Sequence, residues 1–320
     1  MICDIHVHAI ELTSHAGSER AARLRQTLRG RLIFKKSDLI SHDGKAMAET
    51  LDSCRMIDKA VFLAMDGPVG RNDVITDRDI FKVRNEYVAG LAENHSKVLF
   101  GTSINPYREN AIFELENAVK AGACLVKWLP SVQNIDPADS RCIPFYEMMA
   151  HYRLPLLCHT GNEHFMPHQN NRLNDPLRLI PALNKGVTVI GAHCGARMFL
   201  HEKCYFKYWR KMALEYENFY GDTSAFILPT RIKYLEILLD DSRLQDKVLY
   251  ASDLPMKPWL WSGLFRLGWN QVKELTAVKN PFDRHYLFLQ KMGFSSEFFH
   301  RGATLLRFPQ NQSRQEVANE

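Results

Sequence analysis

The residues of this chain best able to do chemistry stand at the ends of short apolar runs. The first run, Met1-Ile2-Cys3-Asp4-Ile5-His6-Val7-His8, takes strand character from Ile2, Ile5 and Val7. It sets His6 and His8 two residues apart. Side chains at that spacing share one face of a strand, so both imidazoles reach one point in space. Imidazole is the commonest metal-ligating side chain near neutral pH. Three later runs end in His159, His193 and Asp253. Each is followed at once by turn residues, in Cys158-His159-Thr160-Gly161, Ala192-His193-Cys194-Gly195 and Ser252-Asp253-Leu254-Pro255. Lys127 lies near the end of a further run that stops at Pro130. Four imidazoles and one carboxylate on one rim make a nitrogen and oxygen donor set. It suits a divalent metal ion, zinc first, with manganese, iron or cobalt as alternatives.

The elements that must hold these residues follow from the hydrophobic pattern. Strands are expected at 2–8, 60–65, 98–104, 124–129, 154–159, 187–193, 219–223 and 248–252. Between them, helical spacing of apolar residues predicts helices. Most strands are short continuous apolar runs, as in a parallel sheet buried on both faces. Eight alternations in a chain of 320 residues predict an α/β fold, a (β/α)8 TIM barrel, with functional residues at the C-terminal ends of the strands. A doubly wound open sheet is the alternative, and no Gly-x-Gly-x-x-Gly follows any strand to support a nucleotide-binding version. One barrel is expected over residues 1–308. It carries an insertion at 9–45, read as a cover over the barrel mouth. A C-terminal extension at 256–308 holds Trp259, Trp261, Trp269 and about two helices. The tail at 309–320 is polar.

The set resembles the amidohydrolase superfamily of metal-dependent barrels. The phrases Val126-Lys127-Trp128-Leu129-Pro130, Leu157-Cys158-His159-Thr160-Gly161, Gly191-Ala192-His193-Cys194-Gly195 and Ala251-Ser252-Asp253-Leu254-Pro255 are most similar to its amidohydrolase-related branch, which holds hydrolases and decarboxylases. The resemblance implies that His6, His8, His159 and Asp253 are metal ligands. It implies that His193 holds or deprotonates a water if one ion binds. If two bind, His193 takes the second ion and a carboxylated Lys127 bridges both. One ion is favoured. The implied reaction is attack of metal-activated water on an ester, lactone or amide carbonyl, with Asp253 and His193 as the catalytic pair. Two alternatives stand beside it: a non-oxidative decarboxylase on the same scaffold, and a catalytically silent barrel that serves as a binding module. The branch closes with an Asn-containing turn before its last helix. This chain has Arg301-Gly302-Ala303-Thr304 there instead.

Composition bounds the rest. Hydrophobic content of 46% and charged content of 24% fit a globular protein with a large core. The net charge of +5 is spread along the chain, which argues against a nucleic-acid surface. Seven cysteines without a Cys-x-x-Cys disfavour a disulfide framework. With no run of eighteen apolar residues and a polar start, a cytoplasmic protein without membrane contact is expected. Cys158 and Cys194 alternate with the ligand histidines and are expected to pack between strand and helix. The predicted partner is a small anionic substrate, with a homo-oligomer left open. Lys127, Arg197 and Arg71 are candidates to bind that substrate; Arg108 and Arg172 also follow strands. His201-Glu202 lacks the second histidine of a zincin helix, and neither a P-loop nor a Gly-x-Ser-x-Gly is present.

Overall fold

The computed structural model of the protein describes residues 1–11, 43–69, 82–164 and 170–308. Its strands lie in chain order in one sheet: β1 (Cys3–His8), β2 (Lys59–Leu63), β3 (Val98–Thr102), β4 (Leu125–Trp128), β5 (Leu156–His159), β6 (Val189–Ala192), β7 (Phe219–Asp222) and β8 (Val248–Leu249). Every consecutive pair is parallel. The far edge returns to β1 through Ile5 N to Tyr250 O (3.2 Å), Asp253 N to His6 O (3.0 Å) and His8 N to Leu254 O (2.7 Å). The sheet is thus closed, and the expected (β/α)8 barrel is what forms.

Helices Gly44–Asp52, Asn85–Asn94, Ala111–Lys120, Ile143–His151, Ile180–Asn184, Phe206–Glu215 and Ile232–Asp240 alternate with the strands. Each turns its apolar stripe inward; Ala111–Lys120 buries Leu115, Ala118 and Val119. Apolar burial is the main term holding such a layer to the sheet. A second, smaller cluster contains Ile5, Val61, Leu63, Leu125, Leu157, Ile190 and Leu249 from six of the strands. Ala303, Leu305 and Phe308 pack against it from the C-terminal segment. Arg307 N donates to Cys124 O (3.2 Å) just before β4, so this segment covers the end of the barrel opposite the strand termini that carry His8, His159 and Asp253.

Two helices of the extension, Pro281–Met292 and Ser296–Leu305, match the two expected in it. A third, Leu264–Ala277, was not expected. Its period is obscured because Gly268 breaks the helical backbone at φ 77° and Phe265 is 99% exposed. No helix among the described residues is long and apolar enough to cross a membrane. Most of the 9–45 insertion, with the cover expected of it, lies outside the described residues, as do Arg71 and the 309–320 tail.

Candidate metal centre

Closure of β8 onto β1 builds the centre. Asp4, at the start of β1, accepts from Ser252 N (3.0 Å) and His6 N (3.2 Å) through Oδ1. That ties the turn carrying Asp253 to the strand carrying His6 and His8. Asp253 turns there with φ 65°, and His193 and Cys194 also have positive φ, 61° and 49°. Non-glycine residues rarely adopt this region, and such strain clusters at functional sites.

His6 Nε2 and His8 Nε2 stand 3.1 Å apart. Asp253 Oδ1 lies 3.4 Å from the first and 3.3 Å from the second. Ligands on two corners of a tetrahedron with bonds of about 2.0–2.1 Å are separated by about 3.3 Å, so three edges of this group fit a single divalent ion. The three side chains form the group that could hold a metal among the described residues. Lys127 Nζ is 3.0 Å from His6 Nε2, with the lysine 1% exposed. His159 lies outside the three-atom group. Its ring is 4.8 Å from that of His193, and its buried Nε2 has no hydrogen-bond partner, with Glu163 Oε2 at 3.8 Å. A buried polar atom left unsatisfied is costly and marks a place for a ligand.

The protonation states suit metal binding. Burial, with the Lys127 charge beside it, pushes His6 down to about 4, and burial pushes His193 down to about 3 and His159 well below its usual range. All three imidazoles are therefore neutral near pH 7. Burial alone would raise Asp253, but the imidazoles of His6, His8 and His193 around it prevail and hold it well below the usual carboxylate range. Neutral imidazole and ionised carboxylate are the forms that ligate. Burial also pushes Lys127 downward against the pull of Asp222 and Asp253.

Asp222, at the end of β7, was not singled out from the sequence. Its Oδ2 accepts from His6 Nδ1 (2.8 Å), which puts the lone pair of His6 on Nε2. Its Oδ1 accepts from His193 N (2.8 Å) and from Ser224 Oγ. His193 Nδ1 lies 2.8 Å from Ser224 Oγ, which gives its own proton to Asp222, and 3.1 Å from Ser224 O, a pure acceptor, so Nδ1 carries the proton and Nε2 is the basic atom. The available signal was a carboxylate at a strand end on the same rim as His159 and Asp253, in Gly221-Asp222-Thr223.

The cysteines pack as expected. Cys158 and Cys194 are buried in the cluster between strands and helices, and Cys194 Sγ donates to Asp222 O at 3.3 Å. Of the arginine candidates, Arg197 donates to Leu200 O (3.0 Å), and Arg108 binds Asp66 at 2.6 Å.

A family model for amidohydrolases matches residues 3–274, and the chain belongs to that family. It is an amidohydrolase-superfamily enzyme. Solved structures share the fold. An uncharacterised TIM-barrel protein from Bordetella bronchiseptica is 17% identical, with 91% of this chain and 99% of that one covered, at a TM-score of 0.59. A candidate 2-pyrone-4,6-dicarboxylic acid hydrolase from Pseudomonas putida is 12% identical over 93% of each chain, at 0.54. The 5-carboxyvanillate decarboxylase from Sphingomonas paucimobilis is 12% identical over 94% of this chain and 98% of that one, at 0.53. No curated protein sequence matches the chain.

Proposed function

We propose that the protein is a metal-dependent hydrolase that adds water to the ester, lactone or amide carbonyl of a small anionic substrate. The observation that carries this reading is the fit of His6, His8 and Asp253 to one ion, with donor atoms 3.1–3.4 Å apart. His159, with its unpartnered Nε2, completes the proposed ligand set. An ion held there would lower the pKa of water from 15.7 to about 7 and polarise the carbonyl. The chain's own residues do the rest. His193 offers Nε2 as a base, because Oγ and the carbonyl of Ser224 hold the proton on Nδ1. Asp253 is ionised and has a second oxygen to take or return a proton. Asp222 fixes the tautomer of His6. A single ion, zinc first, is the favoured cofactor. Lys127 stands 3.0 Å from His6 Nε2, close enough to serve a second ion if carboxylated.

Decarboxylation on the same residues is the second reading, supported by the fold shared with the 5-carboxyvanillate decarboxylase. One experiment addresses both. The purified protein is assayed for metal by elemental analysis, then incubated with lactones, carboxylate esters and aromatic carboxylic acids. Water addition to a lactone or ester is the expected result, with close to one ion per chain. Carbon dioxide release would replace hydrolysis by the second reading. Less than about a tenth of an ion per chain after metal-supplemented expression would remove the metal reading altogether.

A further inference from the structure

We propose that Arg231 is the anchor for a substrate carboxylate, in a subsite beside the metal centre. The inference rests on the reading of the substrate as an anion and names the residue that receives its charge. Arg231 ends the loop that leaves β7, the same loop whose Ser224 holds His193. It is 2% exposed. Its guanidinium makes one long hydrogen bond, Nη2 to Ala196 O at 3.3 Å, and its buried Nε has no partner. Among the described residues no carboxylate comes within ion-pair distance of it, although Asp253, Glu163, Glu202 and Asp222 are near enough for their charges to be felt. The same guanidinium acts on His159 and His193.

The contrast with the other arginines is the telling point. Arg84, Arg108 and Arg178 are more exposed, and each has a carboxylate at 2.5–2.6 Å. Arg197, Arg284 and Arg307 also lack an ion pair among the described residues, but Arg231 alone of the arginines is fully buried, at 2% exposed. A buried charge without a partner is strongly unfavourable, so a fold that retains one has a partner that arrives from outside. A guanidinium presents a planar fork of donors that matches a carboxylate. The ligand class is therefore a small carboxylic acid with one carboxylate held apart from the reacting carbonyl.

The test is binding, not turnover. Isophthalate, glutarate and benzoate, each beside its neutral methyl ester, are titrated by calorimetry into zinc-loaded and chelator-treated protein. At least one acid should bind wild type about tenfold or more tightly than its ester, in both metal states. Arg231→Met should weaken that acid by about a hundredfold, and Arg231→Lys by about tenfold, as for loss of a buried charged hydrogen bond. The ligand-free Tm of Arg231→Met should equal or exceed that of wild type, since a buried unpaired charge has been removed. Acid binding within twofold of wild type in Arg231→Met would overturn the proposal. So would esters that bind as well as acids, or a lowered Tm with acid binding intact. If Arg231→Met does not fold, Arg231→Lys decides alone. Arg231-dependent binding without any hydrolysis would sink the functional reading and leave this one standing.

Discussion

Asp222 ties the His6 imidazole to the backbone of His193 through one carboxylate, which suits it to position the candidate centre. Its two oxygens receive His6 Nδ1, His193 N and Ser224 Oγ. Burial would raise its pKa, but the charge and hydrogen bond of His6 outweigh that and bring it to about 2. Asp222→Asn keeps the shape and replaces one acceptor by a donor, so His6 loses its fixed tautomer. Metal affinity should fall about 10–100-fold, measured by competition with a chromogenic chelator. Unchanged affinity would show that His6 is oriented by something else. Asp253→Asn is expected to act differently. It keeps an oxygen for the ion but removes the charge and the basic oxygen, so turnover should drop by about 10²–10⁴-fold. His193→Asn should also cut turnover steeply. With one ion bound it should leave the metal content near wild type, and with two it should lower it. An Asp253→Asn protein with full metal and more than about a tenth of wild-type turnover would end the general-base role.

The last helix shows how the far end of the barrel is closed. The resemblance left this packing open, because Arg301-Gly302-Ala303-Thr304 lacks the expected Asn. Arg301 supplies the contact in its own way. Its Nη1 donates to Gln245 O (2.7 Å) and Val248 O (3.0 Å), which holds the helix to the start of β8. Gly302 lets the same helix approach β1. A Cβ there would lie 2.7 Å from Ile5 Cγ2 and 3.4 Å from Cys3 O. Ile5 is fully buried, so it has little room to yield. Gly302→Val should therefore cost about 2–3 kcal/mol by overpacking and lower the Tm by about 5 °C. Metal content at 25 °C should stay at the wild-type level, because the centre lies at the opposite end of the strands. A Tm unchanged within error would mean that the helix can lift away without loss.

On the scale of the whole molecule, the parts that the sequence shows plainly are those set by short-range pattern. Strand runs that end in His159, His193 and Asp253 were legible because a histidine or aspartate beside a turn interrupts an apolar run. Asp222 and Arg231 were not, since their roles depend on which strands meet and which charges go unpaired after closure. The helix Leu264–Ala277 was hidden by exposed aromatics at Phe265 and Trp269. The insertion after β1 is a different case, because its two ends are described and its middle is not. Gly44 N donates to Ile10 O at 2.8 Å, so the chain leaves and returns at one place. Both ends are anchored to the barrel. Glu11 receives Arg84 Nε at 2.9 Å, and Asp43 receives Tyr87 Oη at 3.4 Å. Both of these contacts are made by residues outside 12–42. Replacing that segment by Gly-Ser-Gly should leave a folded barrel with its full metal content. Shortening a closed loop to this extent should favour the folded state by about 1–2 kcal/mol through closure entropy. Circular dichroism, thermal unfolding and elemental analysis of the shortened chain would check this. A chain that is insoluble, or that folds without its ion, would show that the barrel and its metal centre depend on the insertion and not only on the residues that anchor its ends.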